Sequence, residues 1–448
     1  MERARLKQVL DATGCAETHG GHVFLRDPKW GARERAQFEK LAAIAAAAKK
    51  RTAPETGWLC IPTGGTGGSL RFARHDERTL SAAARGFCAH YDLRRVNAVD
   101  VLPPFHVSGL MARVRCAATG GSHLPLAWED LKARKFSRLP RRADGWVLSL
   151  VPTQLRQLLA AGGRALAWLR QFRIIFLGGA PVWDALAGAA ANARLPVALS
   201  YGMTETAAMV AAQLPADFAS GQRNSGRPMP HARIEIVDDM RIRNLTPFRE
   251  KGSVFSCRGA RVVAPGETGL VRVAGESVFR GYFGEEKNVP HTSRTSITSN
   301  TSPHVATRRH TSTDSHDAPA ENFFQTEDLA FWDKHGGLNI VGRRDAVIIS
   351  GGKKVFPTEV ETLLRDSGVF ADVAVVGAPD AKWGQCVVAC YPGKSGARID
   401  EARVERVLRP IAAYKRPKRY VRVPVADWPR NAQGKLNRAA LARVAMTC

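Results

Sequence analysis

Short apolar runs separated by segments of helical spacing dominate the first half of the chain. Between several of the runs, Ala, Leu and Arg recur at helical intervals, as in residues 153–161 and 183–192. This alternation of strands and helices predicts parallel βαβ units and hence an α/β fold. The apolar runs are bounded by Gly, Pro or Asp and cover residues 58–61, 98–102, 147–151, 174–177 and 197–199.

The pattern changes in the second half of the chain. β-Branched and polar residues alternate over 232–278, which predicts an antiparallel sheet or a small barrel. Residues 287–317 are rich in Ser, Thr, His and Asn and have no period, so they predict a flexible surface insert. A compact α/β unit follows. Its predicted strands are 346–349, 373–376 and 387–391, and its predicted helices are 357–365 and 400–411.

The patterns divide the chain into two domains. We expect a large amino-terminal domain, residues 1–342, of parallel and mixed sheets with a small antiparallel barrel-like part. We expect a small, mobile α+β domain over residues 343–448. A chain of 448 residues is long enough to bury a separate core in each.

Composition is ordinary for a globular enzyme, with 44% hydrophobic and 24% charged residues. No apolar run is long enough to span a bilayer, and the first five residues alternate charges, unlike a secretory signal. The eight cysteines form no CxxC pair, which favours reduced thiols over a disulfide framework or a zinc site. We therefore expect a cytoplasmic location.

The net charge of +25 has two interpretations. One is binding to nucleic acid or to an anionic membrane. The other is an arginine-rich background combined with polyanionic substrates. The basic residues are dispersed and no aromatic-interleaved RNA-binding motif occurs, so we expect no specific nucleic-acid partner.

A glycine-rich segment at 62–71 follows the first of the apolar runs. Its glycines let the backbone bend with positive φ and point N–H groups at an anion, and its threonines add hydroxyls. The GK[ST] ending of a Walker loop is absent, and a plain glycine turn is the alternative. The candidate phosphate-binding residues are Thr63, Gly64, Gly65, Thr66, Gly67, Gly68 and Arg71.

A second candidate site is the segment 200–205. Tyr201 could stack on a base, the hydroxyl of Thr204 could meet a phosphate, and the carboxylate of Glu205 could hold Mg²⁺. Taken alone, the segment fits a helix start better, with Thr204 as its cap and Glu205 in the first turn.

Two further polar segments lie in the last third of the chain. Asp328 could accept both hydroxyls of a ribose, and Arg343 could bind a phosphate with its planar fork. Lys435, next to Gly434, could reach a charge that develops in a transition state. The alternative for each is a solvated loop.

In this order and spacing, the four segments resemble the acyl-adenylate-forming superfamily, which includes acyl-CoA synthetases, peptide-synthetase adenylation domains and luciferases. The resemblance runs from about residue 57 to the carboxyl terminus, apart from the insert. It implies that the loop from Thr63 to Arg71 wraps the β- and γ-phosphates of ATP. Thr204 would contact the α-phosphate, Tyr201 would stack on adenine, and Glu205 would hold Mg²⁺. The adenine pocket would also be lined by Gly178, Gly179, Ala180, Pro181 and Gly202.

The resemblance assigns roles to the later segments as well. Asp328 would bind the ribose hydroxyls with Arg343 beside them, and Asp345 would be the hinge of the small domain. Lys435 would be the adenylation lysine, and His106 would lie beside the acyl pocket. The glycines that would face the active site after the small domain turns are Gly351 and Gly352.

The implied activity is ligation of a carboxylic acid to coenzyme A through an acyl-adenylate. Within the superfamily, the short amino-terminal region and the form of the glycine loop most resemble o-succinylbenzoate–CoA ligases of menaquinone synthesis. Another aryl- or acyl-CoA ligase is the alternative. A different class, a non-catalytic nucleotide- or RNA-binding protein on a decayed ligase scaffold, also stays open, as does a homodimer.

Some residues depart from the superfamily pattern. Gly67 replaces a usual Ser or Thr, Leu70 a usual Pro, and Arg71 the usual Lys. Glu327 stands where Gly is normal, and Lys353 stands where Glu is frequent. Arg71 keeps the positive charge of lysine but not its shape, so it would bind phosphate with a different geometry.

Overall fold

The computed structural model describes residues 1–47, 57–64, 70–238, 261–285, 323–393, 399–430 and 436–447. The predicted insert at 287–317 lies outside these residues, as does Lys435. Both the parallel and the antiparallel regions expected from the sequence are present, so the α/β class is confirmed.

The amino-terminal part forms a four-stranded sheet, in the order β1-β2-β3-β4. The predicted run at 58–61 is a strand, as expected, but it belongs to this sheet and not to the main parallel one. A strand pattern shows which faces are buried but not which sheet a strand joins. The strands are β1 Ala16–His19, β2 His22–Leu25, β3 Leu59–Gly64 and β4 Leu70–His75, and the neighbouring helices are α1 Arg3–Asp11, α2 Ala32–Ala47 and α3 Glu77–Tyr91.

The main sheet has seven strands in the order β11-β10-β9-β8-β7-β5-β6. The strands from β6 to β9 are parallel, and β10 and β11 extend the sheet with antiparallel pairing. These strands are β5 Ala98–Asp100, β6 His123–Pro125, β7 Val147–Leu150, β8 Ile174–Leu177, β9 Val197–Met203, β10 Ala208–Ala212 and β11 Arg227–Pro228.

Helices cover the main sheet, and its central strands are buried. All four residues of β8 are buried, which explains why this strand reads as one continuous apolar run. The predicted helices at 153–161 and 183–192 are confirmed to within one residue. The helices are α4 Val107–Thr119, α5 Trp128–Lys132, α6 Pro152–Ala161, α7 Gly163–Leu169, α8 Asp184–Asn192 and α9 Pro215–Ala219.

A four-stranded antiparallel sheet follows, in the order β12-β13-β14-β15. Its pairing confirms the antiparallel arrangement that the alternation over 232–278 predicts. The strands are β12 Arg233–Val237, β13 Gly269–Ala274, β14 Phe324–Trp332 and β15 Leu338–Arg343.

The last part of the chain packs a five-stranded sheet against helices. Its apolar side chains form a core of their own, as an independent unit requires. The strands are β16 Ile348–Ser350, β17 Lys353–Val355, β18 Ala374–Asp380, β19 Gly384–Pro392 and β20 Arg419–Val423, and the helices are α10 Pro357–Asp366, α11 Glu401–Leu408 and α12 Arg438–Thr447.

Two further observations concern the part of the chain that the structure describes. Its six cysteines form no disulfide with one another. No helix in these ranges combines the length and the apolar character needed to cross a bilayer.

Candidate active site

Several predicted residues follow parallel strands of the main sheet. His106 follows β5, Gly178 follows β8 directly, and Tyr201 to Glu205 occupy the end of β9 and the turn after it. Because the carboxyl ends of parallel strands meet at one edge of a sheet, these residues share that edge. A Cβ on Gly178 would lie 2.9 Å from Ser200 Oγ, so a larger residue here would require the Ser200 side chain to move.

Tyr201 and Asp328 form a direct contact between the main sheet and the antiparallel sheet. The Tyr201 hydroxyl donates a hydrogen bond of 2.7 Å to Asp328 Oδ2, and the Tyr201 side chain is buried. Burial and the neighbouring carboxylate raise the pKa of Tyr201 well above its ordinary value, so the tyrosine stays a donor. The contact orients the Asp328 carboxylate that the sequence assigns to a ribose.

Arg343 lies opposite Asp328 in the pairing of β14 with β15. Its guanidinium approaches Asp328 Oδ1 at 3.7 Å and donates two bonds of 3.0 Å to Asp345. Burial alone would lower the pKa of Arg343, but Asp345 and Asp328 together raise it. The predicted ribose-binding residue and the predicted hinge residue are therefore joined through one arginine.

Glu327 stands beside this array, at the position where the superfamily has glycine. Arg344 holds its carboxylate with bonds of 2.8 Å and 2.6 Å. The extra charge of Glu327 is thus neutralised locally and does not face Asp328 unpaired.

Glu205 lies beside Thr63, near the end of β3, and is buried, with 7% of its surface exposed. Its Oε1 atom accepts hydrogen bonds from the Tyr282 hydroxyl at 2.7 Å and from Thr63 Oγ1 at 3.2 Å. Burial, followed by the charge of Glu205, raises the pKa of Tyr282, so its hydroxyl stays protonated. Glu205 and Thr63, which the sequence assigns to a metal and to phosphates, are in contact.

The turn that carries Thr204 and Glu205 rests on His75. His75 Nε2 lies 2.8 Å from the Thr204 carbonyl oxygen, and Nδ1 lies 3.1 Å from Thr79 Oγ1. Complete burial lowers the pKa of His75 to about 4, so the ring is neutral near pH 7. Because a carbonyl oxygen can only accept a hydrogen bond, the ring proton is on Nε2, which donates a hydrogen bond to the Thr204 carbonyl oxygen. The next residue, Asp76, caps helix α3, which holds the histidine in place.

Arg71 pairs with Thr63 across β3 and β4, so the segment 65–69 connects two antiparallel strands. Its guanidinium forms two parallel bonds to Glu285, of 3.0 Å and 2.8 Å. The same guanidinium lies over the Tyr282 ring, 3.5 Å from the ring centroid. Gly65, Thr66, Gly67 and Gly68 lie outside the described residues.

The residues present fit a magnesium ion that arrives with a nucleotide. Among the described ranges no group of three or more His, Cys, Asp or Glu could hold a metal ion without help. Magnesium sites often use only one or two carboxylates and complete their shell with phosphates and water. Glu205 supplies one such carboxylate, and its Oε1 atom is already oriented by two hydroxyls.

The last part of the chain, from β16 onward, carries the remaining predicted residues. Gly351 and Gly352 form the turn between β16 and β17, with φ of 55° and 73°. The amine of Lys353, where glutamate is frequent, lies 4.8 Å from the centre of the Tyr414 ring. The segment of Lys435 starts and ends at an antiparallel bridge between Arg430 and Leu436.

The structure joins the predicted residues into two clusters. One contains Thr63, Arg71 and Glu205, and the other contains Tyr201, Asp328, Arg343 and Asp345. Sequence reasoning missed His75, Tyr282 and Glu285. Only Tyr282 left a signal, because it sits in an aromatic segment flanked by Gly281 and Gly284, which marks a close backbone approach.

A parallel sheet with glycines, a buried carboxylate and a paired aspartate at its carboxyl edge is typical of α/β proteins that bind phosphorylated ligands. The chain belongs to the family of AMP-binding enzymes. The model of that family matches residues 2–283, and the model of the AMP-binding enzyme C-terminal domain matches residues 359–435.

Two curated relatives illustrate the range of the family around this chain. An indoleacetate–CoA ligase from Aromatoleum aromaticum is 28% identical over 390 residues, which cover 86% of this chain and 66% of the relative. A 2-succinylbenzoate–CoA ligase from Geobacillus kaustophilus is 29% identical over 345 residues, covering 77% of this chain and 60% of the relative. The chain thus spans less than two thirds of either relative's length.

Solved structures share the fold. The o-succinylbenzoate CoA synthetase of Bacillus subtilis, in complex with its acyl-adenylate intermediate, gives a TM-score of 0.65 at 24% identity, over 86% of this chain and 69% of that one. ATP-bound MatB from Rhodopseudomonas palustris gives a TM-score of 0.64 at 24% identity, over 90% of this chain and 72% of that one.

Proposed function

We propose that this protein is an ATP-dependent carboxylate–CoA ligase that works through an acyl-adenylate. The observation that carries the proposal is the pair of clusters at the sheet edge, in a chain of the AMP-binding enzyme family. One cluster offers an oriented carboxylate beside an arginine and a threonine. The other offers an aspartate supported by a tyrosine and an arginine.

Each cluster suits one part of ATP. Asp328 would accept hydrogen bonds from the two ribose hydroxyls while the Tyr201 ring packs against adenine. The adenine pocket would be completed by Gly178 to Pro181 and by Gly202. Thr63, Arg71 and the glycines between them would bind the β- and γ-phosphates, because hydroxyls, backbone N–H groups and a guanidinium all donate to anions.

The first half-reaction requires charge stabilisation more than covalent help from the protein. A carboxylate oxygen of the acid attacks the α-phosphorus, the bond to the bridging oxygen breaks, and pyrophosphate leaves. Thr204 and Lys435 would stabilise the negative charge that moves between carboxylate and phosphate. When bound at Glu205, Mg²⁺ supplies neutralisation of the phosphate oxygens.

The second half-reaction transfers the acyl group to a thiol. The sulfur of coenzyme A attacks the acyl carbonyl carbon, the acyl–phosphate bond breaks, and AMP leaves. We infer that the small domain, residues 343–448, turns about Asp345 between the two steps, withdrawing Lys435 and bringing the Gly351–Gly352 turn to the site. His106 would then border the acyl group.

Away from Arg343 and Arg344, two hydrogen bonds connect the small domain to the large one in the part of the chain that the structure describes. Arg156 Nη1 donates to the Ala371 carbonyl at 2.8 Å, and the Ala185 N–H donates to Asp366 Oδ1 at 2.9 Å. Both involve exposed groups that water can satisfy once they separate, so they are weak barriers to a turn about Asp345.

Pyrophosphate release tests the class of activity. Purified protein, given ATP, Mg²⁺, coenzyme A and a panel of carboxylic acids, should release pyrophosphate and AMP with at least one acid. Absence of acid-dependent pyrophosphate for the whole panel, with nucleotide binding retained, would favour the non-catalytic nucleotide-binding alternative.

We propose 2-succinylbenzoate as the acid. Its support is the occurrence of 2-succinylbenzoate–CoA ligases among the relatives, at up to 29% identity. The indoleacetate–CoA ligase at 28% identity makes another aryl acid the alternative. 2-Succinylbenzoate carries two carboxyl groups, so a pocket that selects it must accommodate one that stays charged.

Thioester formation should therefore be fastest with 2-succinylbenzoate. We expect kcat/KM for this acid to exceed the values for benzoate, indoleacetate and a fatty acid by at least about tenfold, since a charged group that finds its partner contributes more than about 1.4 kcal/mol. The measurement is thioester formation followed by liquid chromatography. Equal or faster turnover of another acid would replace the substrate and leave the class of reaction intact.

A further inference from the structure

Tyr282 touches two residues of the proposed ATP site at once. Its hydroxyl donates to Glu205 Oε1 at 2.7 Å, and its ring lies under the Arg71 guanidinium, 3.5 Å from the ring centroid. We propose that Tyr282 is a positioning residue for adenylation, whose hydroxyl orients the metal-binding carboxylate and whose ring orients the phosphate-binding arginine. The proposal rests on the function proposed above.

The hydroxyl of Tyr282 decides which carboxylate oxygen of Glu205 is left for a cation. Tyr282 and Thr63 both donate to Oε1, and within the described ranges no donor reaches Oε2. The terminal torsion of a glutamate is broad, so an unbonded carboxylate would rotate. Two donors on one oxygen stop the rotation and leave the lone pairs of Oε2 for Mg²⁺.

The ring of Tyr282 acts on Arg71 in a comparable way. A planar guanidinium stacked on an aromatic face keeps its N–H groups in the plane parallel to the ring. In the structure those groups meet the Glu285 carboxylate in two parallel bonds. Phosphate accepts the same paired geometry, so a guanidinium held in this plane is ready for the triphosphate once it leaves Glu285. Lysine, the usual residue at this position, has a compact ammonium group and no planar group that an aromatic ring could orient.

Backbone hydrogen bonds fix the position of the segment that carries Tyr282. The backbone of residues 279–283 runs beside β4, with hydrogen bonds from Arg280 N to Arg74 O and from Phe283 N to Phe72 O, both of 2.8 Å. The Phe279 N–H donates to the Glu205 carbonyl oxygen at 2.8 Å, and the Phe279 ring packs edge-on against Tyr282. Glu205 and Tyr282 are therefore held to each other through backbone as well as side chain.

Two substitutions separate the two contacts. Tyr282→Phe keeps the ring under Arg71 and removes the hydroxyl, so we expect the Mg²⁺ concentration for half-maximal ATP–pyrophosphate exchange to rise about tenfold, as loss of one hydrogen bond to a charged group predicts. The KM for ATP at saturating Mg²⁺ should stay within about twofold. Tyr282→Leu removes both contacts and should raise the KM for ATP as well.

A binding measurement provides a readout besides activity. Mn²⁺ can replace Mg²⁺, and its binding in the presence of a non-hydrolysable ATP analogue can be followed by electron paramagnetic resonance. We expect Tyr282→Phe to weaken Mn²⁺ binding by a similar factor while the melting temperature of the unliganded protein stays unchanged. Phe279→Leu is the matched control, because it loosens the packing of the same ring and touches neither Glu205 Oε1 nor Arg71.

The outcomes distinguish this proposal from the proposed function. If the wild-type protein shows no acid-dependent exchange, the function fails. If the wild type is active but Tyr282→Phe leaves both the Mg²⁺ dependence and Mn²⁺ binding unchanged, Tyr282 is not a positioning residue. The same conclusion follows if Phe279→Leu shifts them as much as Tyr282→Phe does. Should Tyr282→Leu fail to fold, the comparison of Tyr282→Phe with Phe279→Leu decides the matter alone.

Discussion

Replacing Glu361 by alanine is expected to lower the free energy of unfolding of the small domain by roughly 3 kcal/mol, because it breaks a buried ion-pair network. Glu361 lies on α10 and is 1% exposed. Its carboxylate contacts both terminal nitrogens of Arg438, with 2.9 Å to Nη2, and accepts from the Val375 N–H at 2.8 Å. Arg365 approaches the same carboxylate at 3.5 Å.

The alanine variant would leave the buried Val375 N–H without its acceptor and Arg438 without the carboxylate that it contacts. Arg365 would keep its contact with Asp372, at 3.8 Å. Hydrogen–deuterium exchange of peptides covering 374–392 measures the loss in the small domain separately from the large one. Glu359→Ala, on the same helix, is the matched control. Its partner is Lys415 and both side chains are partly exposed, so we expect a loss of less than about 1 kcal/mol. If Glu361→Ala and Glu359→Ala lowered the free energy of unfolding equally, the buried network would not contribute the expected stability.

The network also predicts a pH dependence. Burial would raise the pKa of Glu361, but the charges and hydrogen bonds of Arg438, followed by Arg365 and the Val375 N–H, lower it overall. A carboxyl whose folded pKa lies below its unfolded value of about 4.3 stabilises the fold above that pH. This contribution is lost as the pH falls through the folded pKa. The wild-type small domain should therefore lose stability below about pH 4 more steeply than Glu361→Ala.

The fold was predictable from the sequence to a large extent because its central strands are buried on both faces. Such strands read as apolar runs, and β7 and β8 match the predicted runs to within one residue. The run at 58–61 is also a strand, but its pattern did not show which sheet it joins: it pairs with β2 and β4. The apolar patterns of β2 and β4 were not among the predicted runs.

The residues that escaped prediction make contacts between distant parts of the chain. Tyr282 lies 77 residues from Glu205, and Glu285 lies 214 residues from Arg71. A hydrogen bond of this kind requires one polar side chain at each end and imposes no period on either neighbourhood. Motif spacing therefore finds the groups that face a ligand, and it misses the groups that hold them.

Three of the five departures from the superfamily pattern are charged side chains with a partner from another segment of the chain. Arg71 has a planar guanidinium where the superfamily has the flexible amine of a lysine. The Tyr282 ring lies under this guanidinium, and the Glu285 carboxylate accepts hydrogen bonds from it. Glu327 is held by Arg344, and Lys353 lies near the Tyr414 ring. Each of these three residues introduces a side chain that is unusual at its position, and a residue from another segment contacts it.

Replacing Lys435 by alanine is expected to slow the adenylation half-reaction by about a hundred- to a thousandfold, the usual effect of removing one preorganised charge from a transition state. The lysine belongs to a segment that starts and ends at the Arg430–Leu436 bridge, beyond the proposed hinge at Asp345. The proposed role of the lysine is to bridge the carboxylate and the α-phosphate while negative charge moves between them. A water molecule at the same position could not supply its positive charge. Release of pyrophosphate from ATP and acid measures this step.

The second half-reaction separates a catalytic lysine from a structural one. Supplied with pre-made acyl-adenylate and coenzyme A, Lys435→Ala should form thioester at nearly the wild-type rate, because the turn of the small domain has by then withdrawn the lysine. Lys418→Ala is the matched control. The side chain of this lysine, in the same domain, donates to the Ala413 carbonyl at 3.3 Å, and both rates of the variant should be unchanged. Equal slowing of the two half-reactions in Lys435→Ala would mean that the lysine serves both steps or supports the fold. The domain turn about Asp345 would then lose its main support.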